Sequence, residues 1–235
     1  WFTVHRVRPW LAAVYVLACG IRGVWPRMDE LRICFYDHPI SVVAVGRSLA
    51  TIAELSFCAQ ICLAVLTITR QYVVANVVLA ANVVAQLCCW YSVITQDQRG
   101  HTVEESIWLT SGLIWTVSCY CARDTDKTLS PAARLFRNGM LVAGPLYVLF
   151  MGVVDVPMYY NRYVHDTLEG REYPSVQEGL ADILTCKSVS RLDSLWVPEM
   201  PWMTLYFTFA VWVSIWLAQA YISNDKQIWK TKKKK

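Results

Sequence analysis

Six long apolar segments dominate this sequence and leave little of it for a soluble fold. A membrane-spanning α-helix needs about 20 mostly apolar residues, because the hydrocarbon core of a bilayer is about 30 Å thick. The chain is 55% hydrophobic and 17% charged, which is more apolar than an ordinary soluble domain. We therefore predict an all-α, polytopic transmembrane helical bundle in a single domain. The predicted spans are 10–25, 40–68, 72–95, 105–122, 139–156 and 202–222.

Two of the predicted spans depart from a straight helix of standard length. Segment 40–68 is longer than the bilayer core requires, so we expect it to tilt or to project from the membrane. Segment 139–156 contains Gly144 followed by Pro145, which predicts a kink. Trp and Tyr lie at many of the span ends, as in the aromatic belts of membrane proteins.

The distribution of Lys and Arg gives the predicted spans a direction. An even number of spans places both termini on one side, and that side carries most of the basic loop residues. Lys and Arg near span ends favour the cytosol. We therefore predict cytosolic N- and C-termini. The long loop between spans five and six is then lumenal or extracellular, and it is acidic.

This long loop contains the signature of a short helix. Ser175 and Glu178 have the spacing of a capping box, in which each side chain bonds to the backbone of the other residue. The apolar residues that follow, Val176, Leu180, Ile183 and Leu184, have helical spacing. We predict an amphipathic helix at the membrane interface. The alternative is a helix that packs as a lid over the mouth of the bundle.

The basic segment 223–235 forms a cytosolic tail in this topology. Lys232 and Lys233 occupy the fourth and third positions from its end and resemble a dilysine retrieval signal. Coat proteins bind such signals and return cargo to the endoplasmic reticulum, which is therefore the expected location. The alternative for the tail is a polybasic segment bound to anionic lipids. The sequence leaves the mitochondrial inner membrane open as another location, and it indicates no nucleic-acid partner.

The nine cysteines divide between the spans and the loops. Most lie in apolar runs, where free cysteine behaves as a small hydrophobic residue. Cys34 and Cys186 lie in loops that the topology places on one side, so a disulfide between them is an option. No CxxC pair and no histidine-containing zinc spacing occurs, and we predict no metal and no cofactor.

Polar residues inside the predicted spans are the candidate functional residues. Charged side chains in a membrane are costly and usually face the interior of a helical bundle. Arg47 and Glu54 share one face of span two, about 10 Å apart along the helix axis. This distance predicts that each has a partner on another helix. The candidate partners are Asn82, Gln86, His101, Glu104, Glu105 and Asp155.

Two interpretations of these residues remain open. In the first, they form an interhelical network of ion pairs and hydrogen bonds that only holds the bundle together. In the second, they form a site. Glu54 would be the acid and Glu105 or Asp155 the base in proton-transfer chemistry on a hydrophobic substrate. Arg47, Asn82, Gln86 and His101 would line a substrate pocket that opens toward the lumen.

The sequence therefore supports three functions from different classes. The first is a small lipid- or isoprenoid-modifying enzyme of the endoplasmic reticulum that uses intramembrane carboxyl groups. The second is an accessory or scaffolding subunit of a larger membrane complex. The third is a transporter or channel protomer, although no inverted repeat is visible. The expected partners are membrane lipids and, for the second function, other membrane subunits.

Overall fold

The protein is helical almost throughout the part of the chain that the structure describes. The structure is a computed structural model, and it describes residues 2–29, 31–122 and 129–220. The helices are α1 (Phe2–Val24), α2 (Val43–Thr69), α3 (Tyr72–Thr95), α4 (Gln98–Cys121), α5 (Pro131–Leu168), α6 (Val176–Asp182) and α7 (Asp193–Ala220). The prediction of a helical fold is therefore confirmed. The predicted retrieval residues, Lys232 and Lys233, lie outside the described residues.

Five of these helices are long and apolar enough to cross a membrane, where the sequence predicts six. Helices α2, α3, α5 and α7 each contain an apolar stretch of 18 residues, and in α1 this stretch is Val7–Val24. Helix α4 has 24 residues, which is the length of a span. Its first turns are polar, however, and contain Arg99, His101, Glu104 and Glu105. It therefore falls short in hydropathy and not in length.

Short connections force the consecutive helices α2, α3 and α4 to run antiparallel. Arg70 and Gln96 end α2 and α3 in the left-handed conformation, with φ of 62° and 60°. The Asp97 side chain then caps α4 by accepting a hydrogen bond from the Arg99 amide at 3.0 Å. Such caps satisfy backbone groups that a helix end leaves unpaired.

Helix α2 is the central element of the bundle. It packs against α1, α3, α4 and α5, and the Gln60 side chain joins it to Ser214 of α7 at 2.9 Å. Helices α4 and α5 approach closely where Gly112 faces the ring of Tyr147. The approach depends on glycine, because a Cβ atom at this position would lie only 2.6 Å from the ring. Cys58, Val65 and Trp115 are among the buried residues of the apolar core at this level.

The loops 25–42, 96–97 and 169–192 meet at one end of the bundle, which we call the capped end. Here β1 (Arg27–Met28) pairs antiparallel with β2 (Ile33–Cys34), and β2 pairs in parallel with β3 (Ser188–Val189). Cys34 and Cys186 form a disulfide, with Cα atoms 6.2 Å apart. The structure therefore contains the disulfide that the sequence left as one alternative.

Helix α6 lies across the capped end, as the lid alternative predicts. The capping box of Ser175 and Glu178 is present in full. Gly179 packs on the backbone of Ile94, and Ile183 is buried against the ends of α2 and α3, as expected for a lid. The other apolar residues of the predicted stripe, Val176, Leu180 and Leu184, are exposed. They leave an apolar face directed away from the bundle.

The observed helices extend beyond the predicted spans at several points. Helix α5 begins before the predicted 139–156 and ends at Leu168, so Asp155 lies within a helix and not at its end. The helix also continues through Pro145. Its irregular part is instead a π-helical turn at Met151–Asp155. Residues Pro39–Ser41 form a separate 3-10 turn before α2, which shortens the predicted 40–68.

Candidate functional site

An ion pair within α2 forms the centre of the polar cluster. Arg47 donates a hydrogen bond from Nη2 to Glu54 Oε2 at 2.9 Å. The two Cα atoms are two helical turns apart, and the long arginine side chain spans that distance. The sequence predicts a partner on another helix for each residue, and this direct contact between the two is an addition to that prediction. Arg47 is 7% exposed, so the pair lies in the interior of the bundle.

Two further helices bind the same ion pair. Gln86 of α3 accepts a hydrogen bond from Arg47 at 2.7 Å and donates one to Glu54 Oε2 at 2.7 Å. Tyr206 of α7 donates its hydroxyl hydrogen to Glu54 Oε1 at 3.2 Å. Each oxygen of Glu54 thus accepts from at least one donor, and three helices meet at this carboxylate. The expected pairing of Glu54 with Gln86 is present.

Asn82 belongs to a different contact. Its amide donates to Ser111 Oγ of α4 at 2.8 Å and to the Val78 carbonyl at 2.9 Å. Its own Oδ1 is buried and has no hydrogen-bond partner. Asn82 therefore ties α3 to α4 one turn away from Gln86, and no described hydrogen bond links it to Glu54.

His101 is a buried helical residue, although its sequence position suggested a loop. It lies in the first turn of α4 and is 7% exposed. Its Nδ1 is 3.0 Å from Glu104 Oε2 and 3.8 Å from Cys89 Sγ. Glu104 Oε1 in turn lies 3.9 Å from Arg47 Nη2, so the two groups of polar residues adjoin. Tyr159 of α5 covers the imidazole ring at a centroid distance of 5.0 Å.

Cys89, His101 and Glu104 are a set of donors that could hold a metal ion. Their ligand atoms lie within 4.8 Å of one another, and all three residues are buried. Thiolate, imidazole and carboxylate are the donors that zinc prefers. His101 and Glu104 already bond to each other, however, and the positive charge of Arg47 lies next to Glu104. The three residues are therefore also linked to one another and to Arg47 by direct contacts that need no ion.

A second pair of carboxyl groups lies between α4 and α5. The Met151–Asp155 turn packs against α4, and the side chains of Glu105 and Asp155 lie near each other. An ionised carboxylate only accepts hydrogen bonds, so a hydrogen bond between the two groups would need a proton on one of them. Both residues are half-buried, and the neighbouring Val153 and Val154 are exposed. This pair therefore lies beside the outer surface of the bundle.

Two π-helical turns occur where the polar residues gather. Met151–Asp155 of α5 ends in Asp155, and Leu205–Phe209 of α7 contains Tyr206. A π-helical turn inserts an extra residue into an α-helix, and such turns are frequent at functional sites. Both turns change the direction of the side chains that follow, and each carries one member of the cluster.

The structure brings together most of the residues that the sequence suggested. Arg47, Glu54 and Gln86 form one network, while Glu105 and Asp155 form a neighbouring pair. A cleft at the capped end lies between α1 and α7, and its lining includes Arg22, Arg27 and Trp202. None of the four predicted pocket residues lines this cleft: Arg47, Asn82, Gln86 and His101.

Two members of the cluster were not predicted as site residues. Tyr206 occurs in an aromatic run and carries no signal that distinguishes it from its neighbours. Cys89 was assigned to packing because it lies in an apolar segment, yet its thiol is next to His101. No family model, no curated protein and no solved structure matches this chain. The candidate site therefore rests on its own geometry.

Proposed function

We propose that this chain is a polytopic membrane enzyme that moves a proton on a lipid or isoprenoid substrate. The observation that carries this proposal is the packing of α4 against the Met151–Asp155 turn, which places the carboxyl groups of Glu105 and Asp155 near each other. A carboxyl pair that holds one proton contains an acid and its conjugate base side by side. That combination is what general acid–base catalysis requires.

The geometry favours a different division of roles from the one expected from the sequence. Glu54 accepts hydrogen bonds from Arg47, Gln86 and Tyr206, which is the bonding of a carboxylate and not of an acid. We therefore assign proton transfer to Glu105 and Asp155. Glu54 and Arg47 would then hold α2, α3 and α7 in position around them.

A hydrophobic substrate is favoured by the surroundings of the pair. Val153 and Val154, beside Asp155, are 65% and 50% exposed. Such residues face acyl chains if α5 spans a membrane, and a lipid can then reach the pair directly from the bilayer. The simplest balanced reaction is a double-bond shift. One carboxyl group donates a proton to one carbon, and the other carboxylate removes a proton from a second carbon, so no cofactor is consumed.

The disulfide supports the predicted orientation. Disulfides form and persist in oxidising compartments, which include the lumen of the endoplasmic reticulum and the cell exterior. Cys34 and Cys186 lie at the capped end. We infer that the capped end faces such a compartment and that α4 completes a sixth span. The positive-inside distribution of Lys and Arg favours the same orientation.

An accessory subunit of a membrane complex is the second candidate function. It is favoured by the way in which Glu54 ties three helices together, because buried networks of this kind also serve structure alone. In that case, changes at Glu105 and Asp155 would alter abundance or assembly. They would not alter any lipid.

Lipid analysis of matched membranes tests the proposed function. Glu105→Gln and Asp155→Asn are compared with wild type at equal abundance, and Glu169→Gln serves as control because Glu169 is an exposed carboxylate. The separation must resolve isomers of equal mass. We expect one lipid class to change in both site variants and to stay unchanged in Glu169→Gln. An unchanged lipid profile in both site variants would contradict the proposed function.

A further inference from the structure

A cleft at the capped end contains two arginines between aromatic walls. It lies where the end of α1 and strand β1 meet α7, and part of its space is open to the outside. Arg22 and Arg27 contribute the charged lining, and Trp25, Trp202 and Phe207 contribute the aromatic lining. Arg22 lies near the end of the apolar stretch Val7–Val24, which is the level of a membrane interface.

Both arginines have a buried nitrogen without a partner. Arg22 Nη1 and Arg27 Nη2 make no hydrogen bond, and neither atom is accessible. Buried polar groups are nearly always hydrogen-bonded, so an unpaired guanidinium nitrogen calls for an explanation. Here both arginines line the same cleft, and an acceptor bound in it offers a partner to each guanidinium group.

The rest of the cleft holds these guanidinium groups in place. Arg27 is 8% exposed, and its Nε donates to Asp29 Oδ1 at 2.6 Å. Its guanidinium packs against Gly46 of α2, where a Cβ atom would overlap it. Arg22 stacks over the rings of Tyr206 and Phe207 at 5.2 and 5.3 Å. Both cations are therefore positioned before any ligand arrives.

We propose that this cleft binds the phosphate group of an amphiphile, with its hydrocarbon chain along Trp202 and Phe207. Phosphate offers several acceptor oxygens and matches the planar fork of arginine. The aromatic walls and the interface depth favour a molecule with an apolar part over free phosphate. Phosphate binding here does not depend on the proposed chemistry of Glu105 and Asp155, although Tyr206 contacts both Arg22 and Glu54.

Native mass spectrometry of the full chain in mild detergent tests this site with three probes. The probes are dioctanoyl phosphatidate, dioctanoylglycerol with the same chains and no phosphate, and inorganic phosphate. We expect one saturable phosphatidate per chain and binding of each other probe at least about tenfold weaker. Dioctanoylglycerol binding as tightly as phosphatidate would overturn the role of the phosphate. Inorganic phosphate binding as tightly as phosphatidate would overturn the claim that the site selects an amphiphile.

Three variants and a control locate the binding. Arg22→Gln and Arg27→Gln should each weaken phosphatidate binding by about tenfold or more. Gly46→Ala should weaken it too, because it displaces the Arg27 guanidinium while both charges remain. The control is Arg191→Gln, an exposed arginine that does not line the cleft. Phosphatidate binding that is unchanged in Arg22→Gln and Gly46→Ala would overturn the proposal. So would an equal loss in the control.

Discussion

The carboxyl groups of Glu105 and Asp155 lie near each other, although the residues belong to different helices, α4 and α5, which pack together. Two carboxyl groups can form a hydrogen bond only if one of them keeps its proton. The nearby Glu54 is bonded as a carboxylate to Arg47. The polar cluster thus contains two neighbouring carboxyl groups next to a fixed ion pair.

Replacing Glu54 by Gln should lower the stability of the bundle. Arg47 would lose the negative charge that faces it at 2.9 Å, while Gln could still bond to Tyr206. We expect the free energy of unfolding to fall by about 2 kcal/mol, the scale of a hydrogen bond to a charged group. Thermal unfolding in detergent measures this change. Arg47→Met combined with Glu54→Gln should recover part of the loss, because no buried cation then remains unpaired.

The disulfide predicts the number of free thiols, which can be measured by labelling. Cys34 and Cys186 are bonded, and the remaining seven cysteines are free. Labelling with a maleimide under denaturing, non-reducing conditions should therefore modify seven thiols, and prior reduction should raise the number to nine. Nine labelled thiols without reduction would show that the two loops are not linked. Cys34→Ser should also lower the melting temperature, because the crosslink closes a long loop.

Acid should weaken the turn between α3 and α4 through Asp97. Burial alone would raise the pKa of Asp97, but hydrogen bonds from Arg99 and Tyr91 outweigh it and hold the pKa below the ordinary value. A lowered folded pKa contributes stability above the unfolded pKa of about 3.9, and this contribution is lost as the pH falls through the folded pKa. Melting temperatures measured from pH 7 down to pH 3 should show this loss in wild type. The decrease in melting temperature per pH unit should be smaller in Asp97→Asn.

Much of the fold follows from apolar length and loop charge. Segment 72–95 is bounded by polar residues, and α3 occupies the same residues. Helix α5 was harder to delimit, because its ends are polar residues that continue the helix outside the apolar stretch. Helix α4 is difficult for a different reason, because its polar residues lie inside the helix and lower its mean hydropathy. Its polar first turns hold Glu104 and Glu105, so that hydropathy alone does not qualify it as a span.

The sequence predicts which residues belong to the candidate site better than it predicts the contacts between them. Charge inside an apolar segment was enough to single out Arg47, Glu54 and Asp155. Their partners depend on helix rotation and on the π-helical turns, which no periodic pattern encodes. Tyr206 and the cleft between α1 and α7 were missed for that reason. Arg22 and Arg27 line one cleft only because the end of α1 lies beside α7, and the sequence does not encode that proximity.

Deuterium transfer tests the central claim most directly. The purified protein is reconstituted in D₂O with a lipid extract of its own membrane, and deuterium bound to lipid carbon is measured by mass spectrometry. We expect one lipid class to gain deuterium with wild type and with Glu169→Gln, and to gain none with Glu105→Gln or Asp155→Asn. If no lipid gains deuterium with wild type, or if both site variants transfer it at the wild-type rate, the carboxyl pair is not a proton-transfer site.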